Sequence, residues 1–150
     1  MNRTILRFLA AAALAAGLAA GPGAGPVRAA SYKLVAHASN PVSSLSAAQV
    51  ERLFLKKVTR WDDGSEVQPV DLAADSPVRS AFSRDLLGKD VAAIKSYWQK
   101  MIFSGRATPP PELSTDAQVL EFVRSNPGAI GYVSAGTAVG DGVEVIKLNQ

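Results

Sequence analysis

Ser76-Pro77-Val78-Arg79 is the stretch of this chain whose residue types and spacing are best suited to chemistry. A hydroxyl residue followed by proline marks a helix start. The hydroxyl caps the first turn, and proline at the first helical position gives up an N–H that has no intrahelical partner anyway. The N–H groups that follow carry partial positive charge and point out of the helix end, which suits an anion. Ser76 with the N–H groups of Val78 and Arg79 is therefore a candidate oxyanion site, and the Arg79 guanidinium adds a bidentate contact if it curls back. Asp75 beside them opposes an anion by like-charge repulsion. Magnitudes cap what such a site achieves. A helix end contributes about 0.3–1 kcal/mol, up to ~2 when partly buried, and a charge-assisted hydrogen bond about 1.5–3. Micromolar capture needs about 8 kcal/mol, so the spacing predicts millimolar binding at best; the structural alternative is a plain helix cap.

The remaining reactive side chains make no catalytic constellation. His37 is the single histidine and reads as a hydrogen-bonded strand residue. Ser39 and Ser134 have no base partnered to them, and no G-x-S-x-G turn exists. Cysteine is absent, which excludes disulfides, thiolate metal sites and a thiol nucleophile. A His/Cys zinc site is not expected either, and neither is any cofactor. Asp62, Asp63 and Glu66 cluster in a turn that Trp61 and Gly64 already explain. Lys56, Lys57 and Arg60 form a small basic group that reads as a solvated face, or else as a docking surface for an acidic partner. Trp61 reads as an anchor for the turn, with ligand stacking as its functional alternative.

The elements that must position Ser76 follow from pattern. Tyr32 to Ala38 alternates like a strand and ends at Asn40-Pro41. Ser46-Ala-Ala-Gln49 is a capping box, and Val50, Leu53 and Phe54 continue it as a helix to about Leu55. Trp61-Asp-Asp-Gly64 turns the chain into a second strand over Val67 to Leu72. Ser76 then caps a helix with Val78, Phe82 and Leu86 on one face, stopped by Gly88. Asp90 caps a longer helix with Val91, Ile94, Trp98, Met101 and Ile102 sharing a face. Pro109-Pro110-Pro111 forbids helix and predicts a stiff connector. Thr115 opens a last helix through Val119, Leu120 and Val123. Strands at Ala129 to Val133 and Val143 to Leu148 follow, around Gly128, Gly131 and the Gly140-Asp141-Gly142 turn; the glycines are expected to serve tight turns and close packing. Strands mixed with amphipathic helices predict one α/β domain with a mixed sheet flanked by helices.

Residues 1–30 read as an export signal: Arg3 and Arg7, an apolar run from Phe8 to Ala20, and small residues around Val27-Arg28-Ala29. The run is short for a membrane span, which needs about 20 apolar residues. Residues 31–150 then form the folded domain, exported to the periplasm with no membrane insertion after cleavage. Arg3, Arg7 and Arg28 account for the whole excess of 16 Lys and Arg over 13 Asp and Glu. The remainder is formally neutral, so no nucleic-acid partner is expected.

Two segments, FLKKVTRWDDGS (Phe54 to Ser65) and NPGAIGYV (Asn126 to Val133), resemble the periplasmic phosphate-binding proteins of ABC transporters, in the type II periplasmic-binding-protein superfamily. NPVSSLSAAQVERLFLKKVTRW, VQPVDL, the Ser-capped helix and YWQKMIFSG keep the order seen in that family's second lobe. The resemblance implies a single-lobe fold and a non-enzymatic solute-binding role. It also implies inorganic phosphate or another small oxyanion as ligand, with an ABC transporter or other periplasmic protein as partner. The family's anion segment resembles R-x-D-G-S-G-T-x-x-x-F. Ser76 falls on its serine and Phe82 on its phenylalanine, but Leu72 stands at the oxyanion-binding arginine, Ala74 at the Asp and Val78 at the phosphate-facing Thr. Asp75 and Pro77 replace the two glycines. An accessory, ligand-free interaction module on the same scaffold is the alternative.

Overall fold

The computed structural model describes residues 31–149; the export signal expected over residues 1–30 lies outside them. The elements run β1 (Tyr32–His37), β2 (Ser44–Ser46), α1 (Ala47–Phe54), β3 (Gln68–Pro69), β4 (Asp71–Leu72), α2 (Pro77–Leu86), α3 (Val91–Phe103), β5 (Glu112–Leu113), α4 (Asp116–Ser125), β6 (Ala129–Ser134) and β7 (Val143–Asn149). They form the α/β lobe that the sequence implies, a mixed sheet with flanking helices.

β1 is the middle of the five-stranded sheet, whose order is β2-β7-β1-β6-β3. It runs antiparallel to β6 and β7, while β2 and β3 lie parallel on the outer edges. Leu34, Val35 and Ala36 are all buried, so this strand is covered on both faces where the sequence predicted alternation. The Ser46 capping box forms reciprocally, with the Gln49 N–H donating to Ser46 Oγ at 3.3 Å and the Ser46 N–H to Gln49 Oε1 at 2.8 Å.

Three expectations need correction. The strand expected over Val67 to Leu72 is two strands in two sheets. Pro69 has no N–H to extend a ladder. The Val70 N–H still donates to Ile130 O at 2.9 Å, but the Asp71 N–H donates to Pro111 O at 2.9 Å. The chain thus passes from the main sheet to a two-stranded parallel pair, β4-β5. The proline run, expected only as a connector, supplies the acceptor that starts this pair.

On α2 the buried residues are Arg79, Phe82, Ser83 and Leu86, with Val78 only half buried. The face is therefore turned toward Arg79. On α3 only Ile94 and Trp98 are buried, whereas Ile102 is 53% and Phe103 92% exposed. Ile102 lies about 80° around the helix from Ile94, outside the stripe that meets the body.

The core centres on aromatic rings from three elements. Phe82 of α2 stacks on Tyr132 of β6 with centroids 3.8 Å apart and planes within 8°. Phe54 of α1 meets Phe82 edge-on at 4.8 Å. This cluster ties the helix bearing Ser76 to the sheet.

Candidate functional site

Ser76 caps α2 from an extended backbone conformation, and the Arg79 N–H donates to its Oγ at 3.3 Å. The hydroxyl acceptor and one of the two candidate N–H donors are thus engaged with each other. Pro77 offers no N–H, so Val78 at the second helical position is the candidate donor that takes no part in the cap. Val78 lines a shallow cleft of about 330 Å³ with Ser31, Ser80 and Arg84. Ser76 does not line it.

The Arg79 side chain turns inward instead of curling back to the helix end. It is 4% exposed. Its Nη1 donates to Leu72 O at 2.7 Å and to Glu112 Oε1 at 2.6 Å, and its Nη2 lies 3.2 Å from Asp71 Oδ2. Asp71, also 4% exposed, accepts from the Tyr132 hydroxyl and from the Leu72 N–H at 3.1 Å. Arg79, Asp71, Glu112 and Tyr132 therefore form one polar knot joining α2, β4, β5 and β6. A buried cation has to be paired, and this requirement turns the inner face of α2 toward residue 79. The fixed guanidinium is a strut, and the bidentate anion contact expected of Arg79 is not made available by this geometry.

Desolvation raises the Asp71 carboxyl above its ordinary range, against the opposing pull of Arg79 and the Tyr132 hydrogen bond. Glu112 competes for the same guanidinium. Burial, then the neighbouring Asp71 charge, also pushes the Tyr132 phenol up. A carboxyl that holds its proton more tightly folded than unfolded contributes stability that is complete below the unfolded value of about 4 and is lost as pH rises through the raised folded value. Asp71→Asn is expected to remove this contribution, so that the variant's stability relative to wild type rises with pH across the acid range in denaturant unfolding; an unchanged pH dependence in that variant would refute the assignment.

The other singled-out residues are dispersed. His37 Nδ1 engages Ser39, with its N–H at 3.0 Å and its hydroxyl at 2.7 Å. Lys57 pairs with Glu51 at 2.8 Å, and Arg60 Nη1 donates to Gly64 O at 2.9 Å, so the expected basic cluster does not act as one patch. Trp61 is the anchor expected of it, its indole N–H donating to Gly128 O at 3.0 Å. Among the described residues, no group of three or more His, Cys, Asp or Glu could hold a metal ion. The polar knot leaves little trace in the sequence: Asp71 follows the β-rich run of residues 67–70 and Glu112 follows the proline run.

A profile of the PBP superfamily domain matches residues 26–145. The chain belongs to that superfamily. No curated protein matches it. Among solved structures, this PBP-superfamily lobe is similar to an ABC-type phosphate transport receptor from Vibrio cholerae, at 19% identity and TM-score 0.61, over 79% of this chain and 46% of that one. It is also similar to a Clostridium perfringens protein assigned as a phosphate ABC transporter substrate-binding protein, with bound phosphate, at 21% identity and TM-score 0.61 over 79% and 44%. PstS from Borrelia burgdorferi matches at 10% identity and TM-score 0.57, over 80% and 47%. The chain spans about half the length of these structures. At such identities the likeness establishes the fold. Among the described residues, no helix is long and apolar enough to cross a membrane.

Proposed function

We propose that this protein is an exported, periplasmic, non-enzymatic relative of the phosphate-transport receptors that works by contacting other proteins, without a tight oxyanion grip of its own. One observation carries the reading: the arginine nearest the helix end is 4% exposed and already bound to Asp71, Leu72 O and Glu112. What remains at the α2 terminus is the Val78 N–H and a capping serine, with Asp75 exposed beside them. A component of an ABC transporter or another periplasmic protein is the class of partner that the family relationship favours.

Phosphate titration followed by thermal unfolding tests this. A ligand at a hundred times its Kd stabilises by about 2.7 kcal/mol. The expected result is no stabilisation at millimolar phosphate or sulfate beyond a salt control, and a loss of about 1 kcal/mol in Ser76→Ala from the missing cap alone. Phosphate stabilisation that Ser76→Ala abolishes would overturn the reading. It would favour the second one, weak oxyanion recognition at Ser76 and the Val78 N–H, which rests on α2 keeping an anion-compatible N-terminus after β4.

A further inference from the structure

We propose that a second site, on the α1 side of the lobe and separate from the α2 terminus, binds a small monocarboxylate with an apolar body. The site is a pocket of about 230 Å³ between β2, α1 and the loop of residues 58–62. Leu45, Leu53 and Trp61 give it apolar walls, and Val58, left 39% exposed, adds to them. Arg52 and Arg60 line it as well.

The walls are built to hold a shape. Trp61 is 7% exposed and tied to Gly128 O through its indole, its backbone N–H donates to Ser65 O at 2.8 Å, and the Arg60 backbone pairs antiparallel with that of Glu66 across the same turn. Fixed aromatic and aliphatic walls with a few placed polar groups are what small-molecule sites present.

Charge decides the ligand class. Lys57 is occupied by Glu51. Among the described residues neither Arg52 nor Arg60 has a carboxylate within 4.0 Å, and Arg60 uses one nitrogen on Gly64 O. Two arginines among the residues lining the pocket, opposed there by Asp62 alone, leave one net positive charge. A guanidinium fork matches a carboxylate bidentately. Inorganic phosphate has no hydrocarbon to bury against Trp61 and Leu53, whereas a monocarboxylate pairs with one fork and covers the walls. The size agrees: an engineered protein cavity of about 150 Å³ holds benzene, so 230 Å³ admits a ring and its carboxylate.

Sodium benzoate is the probe, titrated into the purified protein and followed by two-dimensional NMR at the Trp61 indole N–H and the Val58 amide. Saturable shifts at both with a millimolar Kd are expected. Benzyl alcohol, the neutral analogue, should bind at least about tenfold more weakly, as should benzoate to Arg52→Gln, a change of about 1.4 kcal/mol each. Arg60→Gln should act likewise and also loosen the turn by losing the Gly64 contact; Arg52 sits exposed on α1 and its variant should keep the wild-type melting temperature. Absence of saturable shifts at tens of millimolar benzoate, equal affinity for benzyl alcohol, or unchanged affinity in Arg52→Gln would each overturn the proposal. Phosphate titrations at the α2 terminus do not bear on this outcome, so the two sites fail independently.

Discussion

Arg79→Ala is expected to cost the fold about 3–5 kcal/mol, the range for removing one partner of a buried ion pair. That is a large share of the 5–15 kcal/mol by which domains of this kind are stable. The cost arises because Asp71, 4% exposed in the wild type, loses the charge that compensates it, while the Leu72 carbonyl loses its donor at 2.7 Å. Asp71 would respond by holding its proton more tightly, so the penalty should shrink as pH falls. Asp71→Asn combined with Arg79→Met should recover much of the loss, since a neutral amide can still accept from Tyr132 and Leu72 N–H and the only charge left without its partner, Glu112, is half exposed to water. Urea unfolding of the single variants and the pair, at two pH values, gives the comparison. An Arg79→Ala protein within 1 kcal/mol of wild type would mean that the knot is not structural, and would return Arg79 to the list of candidate ligand groups.

Gly128→Ala is the second large effect, expected at about 3 kcal/mol, the upper part of the range for overpacking. A methyl at residue 128 would overlap the backbone carbonyl oxygen of Glu66. No side-chain rotation relieves a clash with backbone, so β3 has to move away from β6. Two hydrogen bonds converge on the Gly128 carbonyl, from the Gln68 N–H and the Trp61 indole, both at 3.0 Å, and both are strained by that movement. Gly136→Ala is the control, because its Cβ would meet nothing within 4 Å and its φ is not in the left-handed region. It should stay within about 0.5 kcal/mol of wild type. Near-neutral behaviour in both variants would show that the close approach of β3 to residue 128 yields cheaply. Loss of the Trp61 anchor in Gly128→Ala should also weaken benzoate binding, linking the turn to the pocket it walls.

Much of this architecture was legible from local pattern. Ser46, Ser76, Asp90 and Thr115 each cap the helix expected of them, because a cap depends on residues within three positions of one another. The central strand Tyr32–His37 and the buried strand at Ala129 were equally local, and so was the ordered set of segments that resembles the phosphate-binding receptors. The short strands were not. β5 has only two residues and β4 two more, and they pair across 40 intervening positions, with Pro111 O as the first acceptor. Nothing in either dipeptide announces that.

What the sequence by itself determined was the inventory: which helices begin where, which segments are strands, and that Ser76 stands at a helix start with an arginine three residues on. Only the tertiary structure decided where that arginine points. An arginine on the first turn of a helix can serve an anion outside or acids inside, and the local sequence allows both. Asp71 is eight residues away, Glu112 thirty-three and Tyr132 fifty-three from Arg79, so the competition is settled by contacts that exist only after the sheet has formed. Burial makes those contacts strong, because a charge removed from water must find its counter-charge within the protein. Arg52, Arg60 and Trp61 come together within nine residues, but what fixes the Trp61 wall is distant, the Gly128 carbonyl that its indole N–H reaches at 3.0 Å.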